Sequence, residues 1–170
     1  SPLNILKTKT CDCLEAAVFA HLIFSIHKIN SFLVDLRAVQ DEDHVLCVFK
    51  LNNRYGAIAK SKYLGLSLRH PVYHSLKELV MSYFDHYFNY FGKFTLREYS
   101  VPFKLGKYTD KWITEDKIIY KIEGDIDNIK HFKLINKQIE SILPRVSKVK
   151  FNKEVLIKPK EKSRIGKDYR

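Results

Sequence analysis

The first apolar run of the chain, residues 14–29, places Leu14, Ala17, Val18, Leu22 and Ile23 among Ala16, Phe19, Ala20 and Phe24, so that nearly every helical turn is apolar. The pattern predicts a helix buried over most of its surface, with Cys13 in its first turn. Residues 31–38, Ser-Phe-Leu-Val-Asp-Leu-Arg-Ala, are rich in β-formers and predict a strand that runs into the acidic loop Asp41-Glu42-Asp43. Two more apolar runs, residues 44–51 and 54–61, flank Asn52-Asn53. Asn tolerates positive φ better than other non-glycine residues, so this pair predicts a tight hairpin turn.

Further along, Ser75 and Glu78 form a capping box for apolar positions at helical spacing, Leu76, Leu79, Val80, Tyr83, Phe84, Tyr87, Phe88 and Phe91, with Gly92 to close the helix. Residues 94–99 predict a strand ending before Pro102. Thr114 caps a short helix reaching Ile122, and Asp127 caps another that runs through Leu143 to Pro144. A helix, a cluster of strands and then helices, without repeats, predict an α+β domain with an antiparallel sheet. At about 150 residues per domain, 170 residues make one domain. We divide it into a body, residues 1–144, and a tail, residues 145–170.

Composition narrows the class. Hydrophobic residues at 45% and charged residues at 29% exclude wholesale disorder. The apolar run is interrupted by Glu15, His21, His27 and Lys28, which excludes it as a membrane span. The net charge of +11 is concentrated in the tail, where ten basic residues face three acidic ones. Nucleic acid is a partner such a tail would take, and solubilisation is its commoner role. Three cysteines are an odd number, and Cys11 and Cys13 are too close in sequence to bridge comfortably, so no disulfide framework is expected. The expected setting is reducing and cytoplasmic. The chain opens on Ser1 rather than Met, consistent with removal of an upstream segment, and no targeting signal stands in the residues present.

The sharpest chemical feature is Cys13 at a helix start followed, 31 residues later, by His44 at the start of a hairpin strand. A helix N-terminus favours a thiolate, and an imidazole within reach would complete an activated nucleophile. Counting outward from the Asn52-Asn53 turn sets Ser61 opposite His44, on the same strand face, where it would orient the ring. The plainer alternative makes Cys13 a small buried residue and His44 a satisfied strand histidine. Cys11, Cys13, His21 and His27 offer metal-ligating types but match no common zinc spacing, and His21 and His27 do not share a helix face. The aromatic stretch of residues 83–91 reads chiefly as core, with Asp85, His86 and Asn89 on its wet side. No cofactor motif stands out.

In order along residues 1–135, several blocks resemble a largely uncharacterised microbial family with a transglutaminase-like, papain-like core. They are Ser1-Pro2, Cys13-Leu14-Glu15-Ala16-Ala17, Asp43-His44-Val45, Tyr55-Gly56-Ala57-Ile58-Ala59-Lys60-Ser61, Arg69-His70-Pro71-Val72-Tyr73, Ser75-Leu76-Lys77-Glu78-Leu79, Ser82-Tyr83-Phe84 with Tyr87-Phe88, and Thr95-Leu96-Arg97 with Tyr99-Ser100. The resemblance implies a Cys-bearing helix packed on an antiparallel sheet, with Cys13 as nucleophile and His44 as base. It implies cysteine-dependent acyl transfer, hydrolysis of an amide or peptide bond rather than cross-linking, without a cofactor. The chain departs from the wider superfamily where an aspartate belongs, offering Lys60 and Ser61. That departure keeps a second expectation open: an inactive domain that binds a peptide, a protein or, through its tail, nucleic acid.

Overall fold

A computed structural model describes residues 1–156. Six antiparallel strands form one sheet: β1 (Ser31–Ala38), β2 (His44–Leu51), β3 (Arg54–Ile58), β4 (Leu68–Tyr73), β5 (Leu96–Ser100) and β6 (His131–Lys133), in the order β4-β3-β2-β1-β5-β6. Among the described residues the helices are α1 (Pro2–Thr8), α2 (Cys13–Ile26), α3 (Leu76–Met81), α4 (Asp116–Asp127), α5 (Lys137–Ile142) and α6 (Lys148–Glu154). The expected α+β class and antiparallel sheet are therefore observed. No described helix is long and apolar enough to cross a membrane.

Strand alternation builds two cores. Leu33, Val45 and Cys47 face Leu14, Ala17 and Val18 of α2 and Ile119, Ile122 and Ile126 of α4. Val34, Leu36, Leu46 and Val48 face the other way, onto Leu79 and Val80 of α3 and onto Tyr83, Tyr87 and Phe88. Between β2 and β3, Asn52 and Asn53 take φ of 48° and 60°, the paired positive φ of a two-residue hairpin turn. Leu51 pairs with Arg54 as expected, but the ladder stops at Cys47–Ile58. Beyond it, the Ala59 N–H donates to the Ser67 carbonyl at 2.9 Å, so the chain has turned towards β4.

Three expectations need correction. The helix expected over residues 76–91 ends at Met81, where the Ser82 hydroxyl donates to the Leu79 carbonyl at 2.6 Å. A 3-10 turn, Phe84–His86, follows. Asn89 then accepts the N–H groups of Phe91 and Lys93 at 3.0 and 3.2 Å, reversing the chain beside Gly92, whose φ is 72°. Asn89 is accordingly buried, not on a wet face. Tyr83, Tyr87 and Phe88 do fill the core, but from a broken segment, and Phe91 is exposed. The helix expected over residues 127–143 is likewise interrupted, because residues 131–133 pair with β5. The stretch set apart as the beginning of the basic tail, residues 145–156, packs on the body. Phe151 packs on the α3-side core and Val155, which caps α6 at its C-terminus, is buried within it, while Val149 of the same helix is exposed. The remainder of the basic tail, residues 157–170, lies outside the described residues.

Candidate active site

Helix α2 starts where it does because Asp12 and Glu15 cap it reciprocally: the Glu15 N–H donates to Asp12 Oδ1 at 2.8 Å, and the Asp12 N–H to Glu15 Oε2 at 3.2 Å. Cys13 is thereby fixed as the first helical residue. The Val45 backbone amide is among the groups that act on its thiol. Val45 lies beyond the end of the β2–β3 ladder: the closing pair of a two-residue hairpin is hydrogen-bonded, as is every second pair outward, so Val45 would have faced Lys60 had β3 continued. Burial is the largest influence on the thiol and pushes its pKa up; the Val45 amide pulls it down, the Asp12 carboxylate pushes it up, and the Leu14 and Cys13 amides pull it down. The net result is a raised pKa, so the expected helix-terminus thiolate gives way to a neutral thiol.

His44 opens β2 directly opposite Leu36, so its side chain lies on the α3 face. It is 6% exposed. Its Nε2 lies 3.1 Å from the Leu66 carbonyl, and its ring meets the Tyr87 ring edge-on at 6.4 Å between centroids. A carbonyl only accepts, so Nε2 carries a hydrogen and Nδ1 is left as the basic atom of the neutral ring. Desolvation pushes the imidazole down to about 4, against smaller upward pulls from the Leu66 carbonyl and the Glu42 charge.

Cys13, His44 and Ser61 line one cleft of about 270 Å³, together with Asp41, Lys60 and Tyr87. The cleft gathers all three residues singled out from the sequence, but among the described residues no hydrogen bond joins Cys13 to His44. Cys13 reaches the cleft from the α2 side of the sheet and His44 from the α3 side. Ser61 is occupied elsewhere: its Oγ accepts the Tyr63 N–H at 3.0 Å, and the partner of the His44 ring is the Leu66 carbonyl. Asp41 and Asp43 do not take the place of a triad acid either. Asp41 accepts from Thr95 Oγ1 and Asp43 from the Ala38 N–H, each at 2.7 Å, and burial pushes both carboxyls up. Lys60 Nζ donates to the Cys11 carbonyl.

Two groups in the cleft escaped sequence reasoning. The Leu66 carbonyl is a backbone atom with no side-chain signature. Tyr87, whose hydroxyl donates to the Glu42 carbonyl at 2.6 Å and so ties down the acidic loop, carried only an aromatic-core signal. Cys47 lies fully buried on the α2 side, its thiol pushed up to about 12 by desolvation. His21 Nδ1 bonds the Ser31 hydroxyl at 2.8 Å. Among the described residues no cluster of three His, Cys, Asp or Glu could hold a metal ion.

A carboxylate–histidine pair does exist, elsewhere. Asp35 Oδ2 and His131 Nε2 are 3.0 Å apart, with side chains 1% and 3% exposed. The Ile129 carbonyl occupies His131 Nδ1 at 2.8 Å, so that nitrogen carries a hydrogen and one further proton is shared between Nε2 and the carboxyl. Burial pushes the Asp35 pKa up, and the His131 contact partly offsets it. Through the residue pairs Val45–Asp35, Asp35–Ser100 by extension of the β1–β5 register, and Ser100–His131, this dyad lies on the α2 face of the sheet, reached from Val45 by stepping along β1, β5 and β6. No protein-family model matches the chain, and no curated protein is significantly similar to it.

Proposed function

We propose that the cleft is the active site of a cysteine-dependent acyl-transfer enzyme of the transglutaminase-like type, hydrolysing an amide or peptide bond. The observation that carries the reading is the convergence in one cleft of a capped helix-terminal thiol and a histidine whose tautomer leaves Nδ1 basic. Cys13 S–H gives its proton to His44 Nδ1 as sulfur bonds to the substrate carbonyl carbon. The carbonyl π pair moves onto oxygen, and backbone N–H groups around the thiol stabilise that oxyanion. The C–N bond then breaks, the amine departing with the proton from Nδ1. Water adds to the thioester, giving a proton to Nδ1, and collapse releases the acid and returns the proton to sulfur. Throughout, Nε2–H donates to the Leu66 carbonyl, which steadies the imidazolium less than a carboxylate would.

With the imidazole near 4 and the thiol above its ordinary value, the resting pair is neutral, and the thiolate–imidazolium form lies several powers of ten uphill. Proton transfer therefore accompanies attack instead of preceding it, and turnover is slow. The test is alkylation of Cys13 by iodoacetamide, mapped by mass spectrometry across pH. Modification should stay low at pH 6 and climb through the alkaline range, later than for a free cysteine; rapid modification at pH 6 would contradict a neutral resting thiol. A second reading, a peptide-binding cleft without catalysis, is favoured by one observation, the lack of a direct Cys13–His44 hydrogen bond. It predicts that no acyl group ever accumulates on Cys13.

A further inference from the structure

The Leu66 carbonyl that holds His44 belongs to an isolated 3-10 turn, Leu64–Leu66, and so short a turn has little rigidity of its own. Arg69 supplies it. Its Nη2 donates to the Gly65 carbonyl at 2.8 Å and to the Ser82 carbonyl at 2.9 Å, its Nε to Ser82 Oγ at 2.8 Å, and its Nη1 to the Leu68 carbonyl at 2.9 Å. The guanidinium also lies 4.0 Å from the centre of the Tyr83 ring. Every one of these acceptors is a neutral oxygen, so the cation is placed for the geometry of its fork and not to neutralise a carboxylate. It thereby ties the turn to the C-terminal end of α3.

The opposite side of the turn is pressed onto His86. A β-carbon at Gly65 would overlap the His86 ring, and His86 Nδ1 is held in turn by Glu154 Oε2 of α6 at 2.9 Å. Immediately after the turn, the Ser67 carbonyl takes the Ala59 N–H. The turn is thus gripped on each side of Leu66, whose carbonyl is left pointing at His44.

We propose that Arg69 is a positioning residue for the base: by fixing the Leu64–Leu66 turn it holds the Leu66 carbonyl on His44 Nε2 and so keeps Nδ1 free to take the Cys13 proton. This rests on His44 acting as the base. A lysine at 69 retains the charge but brings a single point donor where three nitrogens now bond four oxygens, so it cannot hold the turn to α3 in the same way.

The test uses the full chain with ¹⁵N-labelled histidine rings and reads the His44 tautomer from long-range ¹H–¹⁵N correlations. In the unsubstituted protein His44 should show one tautomer, with hydrogen on Nε2. In Arg69→Lys both ring nitrogens should shift towards a mixture of tautomers, and the protonation midpoint of His44 should move up as the ring gains water. Should Arg69→Lys fail to fold, Ser82→Ala removes the Nε partner, along with the hydroxyl bond to the Leu79 carbonyl, leaves the other three guanidinium bonds in place, and should move the same signals less, in the same direction. A folded Arg69→Lys with unchanged His44 ring shifts, or a folded Ser82→Ala with unchanged shifts where the lysine variant is lost, overturns the inference. Neither result depends on whether Cys13 of the unsubstituted protein accepts an acyl group, so failure here is distinct from failure of the acyl-transfer reading.

Discussion

His44 and His131 each open a strand of one sheet, the interior β2 and the edge strand β6, and their surroundings differ. His131 has what a catalytic histidine is usually given, a carboxylate on one ring nitrogen, but it is closed off on the α2 and α4 side with both nitrogens occupied. His44 has only a backbone carbonyl on Nε2, yet it borders the cleft that holds the thiol. On the proposed reading, the Asp–His pair does not mark the reactive site. What matters is whether the second nitrogen is left unspent and whether a nucleophile shares its cavity.

Removal of Asp35 should have the largest effect. Leaving His131 buried without its acid partner should cost about 3 to 5 kcal/mol, the usual consequence of stranding one half of a buried pair. Urea unfolding of Asp35→Ala at pH 7 measures it, and Cys13 alkylation under native conditions should be little altered. Loss of Cys13 reactivity without loss of stability would reverse the roles of the two histidines.

Truncation after Pro144 acts on the other histidine's side. It removes Phe151 and Val155 from the α3-side core, and with them the Leu156 N–H bond to the Lys62 carbonyl at 2.8 Å beside the cleft. At about 1.5 to 3 kcal/mol for each fully buried apolar side chain, the loss should be about 3 kcal/mol, since Phe151 is only partly buried. Truncation after Leu156 should leave the melting temperature within a few degrees.

Acid sharpens the comparison further. The folded imidazole of His44 is depressed from 6.5 to about 4, so between those values the unfolded chain binds a proton that the folded chain refuses. The contribution is fully present above pH 6.5 and is lost as pH falls to about 4, by about 3 kcal/mol in total. His44→Asn should flatten that part of the stability profile; an unchanged slope would mean that His44 is not desolvated in solution.

Much of this was legible in the sequence. Strands β1 and β2 and the start of α2 were readable because apolar period, turn chemistry and capping all agree there, and the Asn52-Asn53 turn sets the register that aligns Leu51 with Arg54. Ser61 illustrates where such counting ends: extrapolating a ladder assumes that it continues, and β3 leaves it after Ile58 to meet Ser67. Residues 83–91 carry aromatic residues at helical spacing, but Ser82 and Asn89 offer side-chain bonds that compete with the helix. The Asp35–His131 pair joins residues 96 apart and had no local signal at all.

Ser61→Ala should have the smallest effect, below about 1 kcal/mol in stability, because it removes one hydroxyl-to-backbone bond at Tyr63, and it should leave the His44 tautomer unchanged.

The central claim, that Cys13 is a nucleophile served by His44, is tested most directly by intact-mass spectrometry of the protein mixed with an activated acyl ester. A single acyl group should accumulate on Cys13 and then be lost by hydrolysis, and His44→Asn should slow acylation at least tenfold while the protein remains folded. Acylation of Cys11 in preference to Cys13, or acylation of Cys13 at the same rate in His44→Asn, would contradict it.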